Sequence, residues 1–316
     1  MSQPIVIDAH MHMYRTKEAG LADKEGYEVW EYGDKSNVQY SAYCGSPDEV
    51  EAALNEVDAK SGVVLNSGFI PDIFRRQVID KLPNDLGEED KERALQEINI
   101  MLQNKFIESN KWLCAVTEYN ERMIPFISID PGVLRPEDLR DHVVEMIEDH
   151  GAKGIKIHPA AQQFYLHDIR LHPVWQLCVD MNVPILTHSG PTHGKDHFAE
   201  PRSFHKALSL FPGLRLLVAH LGGATWRQTR QLAKDYPDLY FDCSEIIHWT
   251  GAPNAPTVLE LAELILDVGP DRVMMGSDFP WYDVDHTINK VMDLPLLSQA
   301  QREAMIGANA ENFLQR

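Results

Sequence analysis

IVIDAHMH, residues 5–12, is an apolar run that ends in two histidines flanking a methionine, and its reading decides the fold. Side chains alternate along a strand, so His10 and His12 project to one face and Met11 to the other. Two neutral imidazoles at one strand tip can pinch a single metal ion, and imidazole suits zinc, iron, nickel and copper. A doubly wound nucleotide-binding sheet would place a glycine-rich phosphate turn after this strand, whereas the sequence has HMHMY there.

Outward from that run, short apolar segments alternate with helical periodicity. The pattern predicts strands at 62–66 (GVVLN), 123–129 (MIPFISI), 154–158 (GIKIH), 184–188 (PILTH), 214–220 (LRLLVAH), 239–243 and 273–278 (VMMGSD). Helices are expected from Ser46 or Asp48 to about residue 60, and over 136–150, 172–181, 201–210, 226–236, 257–268, 285–294 and 298–315. Eight strands separated by helices define an α/β chain, read as a (β/α)8 TIM barrel in one domain, 1–316, with the doubly wound sheet as runner-up. Two stretches depart from the repeat. Residues 13–47, with Tyr14, Tyr27, Trp30, Tyr32, Tyr40 and Tyr43 and no clean period, are expected to cap the mouth beside the histidines or to form an oligomer contact. Residues 68–122 read as a helical insertion between the second and third strands, with a break near Leu82 and Leu95, Ile98, Leu102, Phe106, Ile107 and Leu113 on one face.

Composition narrows the function. The 316 residues are 44% hydrophobic and 24% charged, enough for a large core, and the net charge of -19 repels phosphate backbones and anionic lipid. Nucleic-acid and membrane partners are therefore not expected. Cys44, Cys114, Cys178 and Cys243 lie far apart with no metal-ligand spacing and read as packed thiols of a reducing compartment. With no basic leader and no long apolar run, a cytoplasmic location follows as the expectation.

The residues able to do chemistry gather at the ends of the predicted strands. His10 and His12 end the first, Lys156 and His158 the fourth, His188 the fifth, His220 the sixth and Asp278 the eighth. In a parallel barrel all of these tips share one rim, where active sites are built. Arg202 and His193, in a polar loop after the fifth strand, are candidates for a substrate carboxylate. Trp281 is read as a pocket wall or as an anchor for the last loop. Ser244 and Glu245 end the seventh strand and receive no role, nor do His167, His172, His205, His248 and His286.

GIKIHP, PILTHSG, LLVAHLGG, MMGSDFPW and the C-terminal GANAENFL together resemble the amidohydrolase superfamily, in its amidohydrolase-related branch that includes aminocarboxymuconate semialdehyde decarboxylase. The resemblance implies His10, His12 and His188 as metal ligands, Asp278 as a ligand or proton-transfer group, and His220 as the acid/base. It implies one divalent ion, zinc first and manganese as the alternative. A second ion bridged by carboxylated Lys156 is the less favoured arrangement, and otherwise Lys156 and His158 face substrate. A homodimer is also implied. Such a site activates water or polarises a carbonyl. The leading expectation is hydrolysis of a small carboxylated substrate by metal-activated water. The alternative is a lyase, non-oxidative decarboxylation of an aromatic or unsaturated acid. A catalytically dead scaffold would lack a ligand, and none is missing.

Overall fold

Strand β1, Ile7–His12, is buried along its whole length. The computed structural model describes residues 4–24, 27–66 and 71–315, the side chains of Tyr27 and Asp72 excepted. After β1 come β2 (Ser61–Leu65), β3 (Met123–Ser128), β4 (Gly154–Ile157), β5 (Ile185–Thr187), β6 (Leu216–Val218), β7 (Tyr240–Asp242) and β8 (Val273–Met274). They form one eight-stranded sheet in sequence order, each strand parallel to the next. Ala9 N donates to Met275 O at 3.0 Å and Asp278 N to His10 O at 2.9 Å, so the last strand returns to the first. The structure is the (β/α)8 barrel expected from the alternation of elements.

Alternation along each strand sorts the core into two layers. Val63, Leu65, Phe126, Leu186, Leu217, Tyr240 and Met274 pack inside the barrel, while Val64, Ile127, Ile155, Ile185, Leu216, Phe241 and Val273 pack outward against the helices. The C-terminal helix, Asn309–Gln315, sets Phe313 against Tyr240 at the start of β7, with ring centroids 5.1 Å apart, and so plugs the end opposite the strand tips. At the other end apolar residues give way to Lys156, His188, His220, Asp242 and Asp278, all buried.

Where the structure departs from the expected elements, close approach of backbones is the reason. Strands six and eight stop short of residues 220 and 278, and His220 and Asp278 themselves take φ of 58° and 59°, which turns the chain at the rim. The expected 226–236 helix shortens to Thr229–Asp235, preceded by a 3-10 segment kinked at Gly222 and Gly223. The last helix is split by a π turn, Ala304–Ala308, where Gly307 lies so near Ile5 that a Cβ would stand 1.9 Å from its carbonyl oxygen.

Segment 13–47 contains helices α1 (Lys17–Asp23) and α2 (Tyr27–Tyr32) and is followed by α3 (Pro47–Glu56), at whose start Ser46 N donates to Glu49 Oε2 at 3.2 Å. Between β2 and β3 run α4 (Pro71–Ile79) and the 30-residue α5 (Glu88–Thr117), which buries Ile98, Leu102, Phe106 and Leu113. Residues 68–70 of the expected insertion and the Tyr27 ring lie outside the described residues. No described helix is long and apolar enough to cross a membrane.

Candidate active site

The β1 pair converges as the strand period requires. His10 Nε2 and His12 Nε2 are 3.2 Å apart, and Asp278 Oδ1 lies 3.2 Å from the first and 3.0 Å from the second. Asp242 Oδ2, 3.1 Å from His10 Nδ1, assigns the proton of His10 to Nδ1 and leaves Nε2 as a lone pair. Burial lowers the pKa of His10 and of His12, so both are neutral. Two lone pairs and a carboxylate oxygen aimed at one spot repel each other unless a cation shares them. Lys156 Nζ, 3.0 Å from His10 Nε2, is such a cation, and burial has brought its pKa down to about 8. The donor set fits a divalent ion held by His10, His12 and Asp278.

The other strand-tip residues stand around this triad. His188 Nδ1 is 3.1 Å from His220 Nε2, and its buried Nε2 has no partner among the described residues. His188 thus faces His220 and is in none of the groups whose ligand atoms lie within 4.8 Å of one another, which are His10, His12 and Asp278; His10, His220 and Asp242; and His220, Glu245 and Asp278. His220 is held on its other nitrogen by Ser244, with Oγ at 2.9 Å and the carbonyl at 3.1 Å, and burial lowers its pKa to about 4. His158 stacks on His188 with centroids 3.8 Å apart, and its Nδ1 accepts from Ala161 N, capping the short helix Pro159–Gln162. Trp281 meets His12 edge-on at 5.0 Å.

These side chains open onto a cavity of about 540 Å³ lined by His12, Lys156, His158, His188, His220 and Asp278, with Trp281 and His193 as further walls. Segment 13–47 also reaches it, through Ala22, Asp23 and Glu28. That segment is pinned by Glu31, whose Oε1 accepts from Ala224 N at 2.8 Å. The carboxyl fits because residues 190 and 223 are glycines; a Cβ on Gly223 would stand 2.1 Å from Glu31 Oε1.

Arg202 is the sequence candidate that the fold does not bring here. It starts the helix Pro201–Leu210, is exposed, and pairs with Glu200 at 2.9 Å, so it is a surface ion pair rather than a pocket residue. His193 does line the cavity, its ring 3.5 Å from that of Trp30.

Sequence reasoning missed Asp242, Asp8, Glu28 and Glu31, and left Ser244 and Glu245 without roles. Asp242 is a hub: besides His10 it accepts from His220 N at 2.9 Å, Ser244 N at 3.0 Å and Ser244 Oγ. Burial opposes its charge, but His10 and these donors bring its pKa to about 2. Asp8 Oδ1 accepts from His10 N and Ser277 N, both at 3.0 Å, tying β1 to the loop after β8, and burial raises its pKa to about 7. The available signal was a carboxylate inside an apolar strand, at IVIDA and LYFDC.

A closed parallel barrel with this constellation at its strand tips has donors able to hold a divalent ion on the rim where barrel active sites are built. The chain belongs to the amidohydrolase 2 family: a family model described as amidohydrolase matches residues 7–316. No curated protein matches the sequence. Among solved structures, an uncharacterised TIM-barrel protein from Bordetella bronchiseptica is similar at 17% identity over 98% of each chain, with a TM-score of 0.68. 5-Carboxyvanillate decarboxylase from Sphingomonas paucimobilis is similar at 13% identity over 99% of each chain, with a TM-score of 0.63. A dihydroxybenzoic acid decarboxylase from Polaromonas sp. JS666, with bound manganese and the inhibitor 2-nitroresorcinol, is similar at 14% identity over 100% of this chain and 97% of that one, with a TM-score of 0.63. At these identities the likeness establishes the shared fold.

Proposed function

We propose that the protein is a metal-dependent decarboxylase of a small aromatic or unsaturated carboxylic acid. The observation that carries the reading is the triad His10, His12 and Asp278 at the head of a cavity walled by flat rings, those of His158, His188, His193 and Trp281. Planar walls suit a planar substrate. The decarboxylases among the similar structures support the same reading and move the preference from hydrolysis, the leading expectation of the sequence, to its alternative. The family membership and the residues are common to both reactions; the product differs.

In this reading His10, His12 and Asp278 hold one divalent ion with His188 beside them, and the ion supplies a Lewis acid for the substrate's oxygens. Lys156, at the head of the cavity, faces the substrate carboxylate, and His158 and Trp281 flank the ring. His220 lines the cavity and is held on Nδ1 by Ser244, so in this reading it carries a proton to the substrate on Nε2. That proton passes from Nε2 to the carbon bearing the carboxylate. The carbon–carbon bond then breaks, its electron pair returns to the substrate's π system, and carbon dioxide leaves. Two imidazoles and a carboxylate suit zinc and manganese alike.

The test is a panel of hydroxybenzoates, muconates, lactones and amides, assayed with protein loaded with zinc or manganese for carbon dioxide and for proton release. Carbon dioxide from an acid substrate is expected. Proton release from a lactone or amide with no carbon dioxide from any acid would restore the hydrolase reading.

A further inference from the structure

We propose that Glu28 and Glu245 form a second recognition surface in the pocket, one that reads hydrogen-bond donors, hydroxyl or amino groups, carried by the acid substrate. This deepens the proposed function and rests on its reading that the pocket takes an acid. Both residues line the cavity, although they come from distant parts of the chain: Glu28 from α2, Glu245 from the tip of β7. Their exposures are 2% and 6%. Both carboxyl oxygens of Glu28 and Oε1 of Glu245 are buried with no hydrogen-bond partner among the described residues.

An unmet buried polar atom destabilises a fold, which has no reason to bear three of them on one cavity wall unless a ligand completes the set. Burial raises the pKa of Glu28 to about 7 and that of Glu245 well above the ordinary carboxylate range, so both carboxyls are held toward the neutral form, with an oxygen that accepts and a hydroxyl that donates, and a hydroxyl or amino group, which also does both, completes them. The barrel gives the surface its direction. β7 lies three strands from β4, whose tip carries Lys156 and His158. The mouth therefore has a basic side for a carboxylate and, across from it, a carboxyl pair for hydroxyl or amino groups. Alkylation of the substrate's hydroxyl or amino group would remove the donor and leave two buried carboxyls unmet.

The experiment is calorimetric titration of the metal-loaded protein with benzoic acids carrying a hydroxyl, amino or methoxy group at each ring position. At the favoured position the hydroxyl or amino acid is expected to bind at least about tenfold more tightly than its methoxy counterpart, and comparison of hydroxyl with amino identifies which donor is read. Glu28→Met and Glu245→Met should each shrink that ratio below about threefold while the melting temperature of the metal-loaded protein stays the same or rises, because an unmet buried carboxyl is removed. A merely structural role would give the reverse, a lower melting temperature with the ratio kept. A ratio below about threefold in the unaltered protein, or one that survives both substitutions, overturns the proposal. So does a second equivalent of metal lost in Glu245→Met, since Glu245, His220 and Asp278 also bring ligand atoms within 4.8 Å of one another. Failure of the decarboxylase reading would look different: no carbon dioxide from any acid, with the binding ratio intact.

Discussion

Replacing Asp242 by Asn tests how the metal site is built, because it keeps the shape of the side chain and changes what it can accept. Asp242 Oδ1 takes three donors, His220 N, Ser244 N and Ser244 Oγ, while Oδ2 takes the proton of His10 Nδ1 at 3.1 Å. An asparagine must leave its carbonyl oxygen with the three donors, so its amide group replaces Oδ2 and meets His10 Nδ1 donor to donor. His10 then moves its proton to Nε2, the nitrogen that faces His12 and Asp278, and one of three lone pairs is lost. Loss of such a supporting group typically weakens metal affinity about 10–100-fold, which is about 1.4–2.7 kcal/mol. The assay is competition for zinc or manganese with a chromophoric chelator, with circular dichroism to check the fold. A dissociation constant within about threefold of the unaltered protein, with the fold intact, would refute the argument.

His220→Asn should keep the metal, since His220 lies outside the triad, and lower kcat about 10²–10⁴-fold by removing the proton carrier; loss of metal would instead make His220 a ligand. Gly223→Ala places a Cβ 2.1 Å from Glu31 Oε1 and 2.9 Å from Ser189 O at φ 55°, ψ -141°. We expect a loss of about 2–5 kcal/mol in thermal or denaturant unfolding from strain and the displaced Glu31 bond, with KM raised as segment 13–47 lifts from the mouth. Stability should also fall with acid at His142, which is buried beside α5 with Nε2 3.0 Å from Asn110 Nδ2 and has its pKa lowered by burial to about 4. Because the unfolded chain takes up a proton near pH 6.5 and the folded one only near pH 4, this contribution is whole above pH 6.5 and is lost as pH falls toward 4. It amounts to about 3 kcal/mol, and His142→Gln should flatten that part of the unfolding profile.

Periodicity alone determined the eight strands, their order and the rim on which His10, His12, Lys156, His188, His220 and Asp278 gather, because period-two alternation and strand-helix repetition are local properties of a chain. The same logic located the helical span of α4 and α5 and the aromatic segment that reaches the pocket. What only the tertiary structure decided depends on contacts across the barrel. Asp242 looks like a misplaced charge in LYFDC until β7 brings it against His10, 232 residues away in the chain. Glu31 looks like one more acidic helix residue until α2 meets the glycines at 190 and 223. Arg202 reads equally well as a carboxylate binder until Glu200 is seen to hold it at the surface. A side chain's class and spacing show which chemistry it can do, but its partner is set by which strand tip or loop the closed sheet places opposite it, and that placement is global.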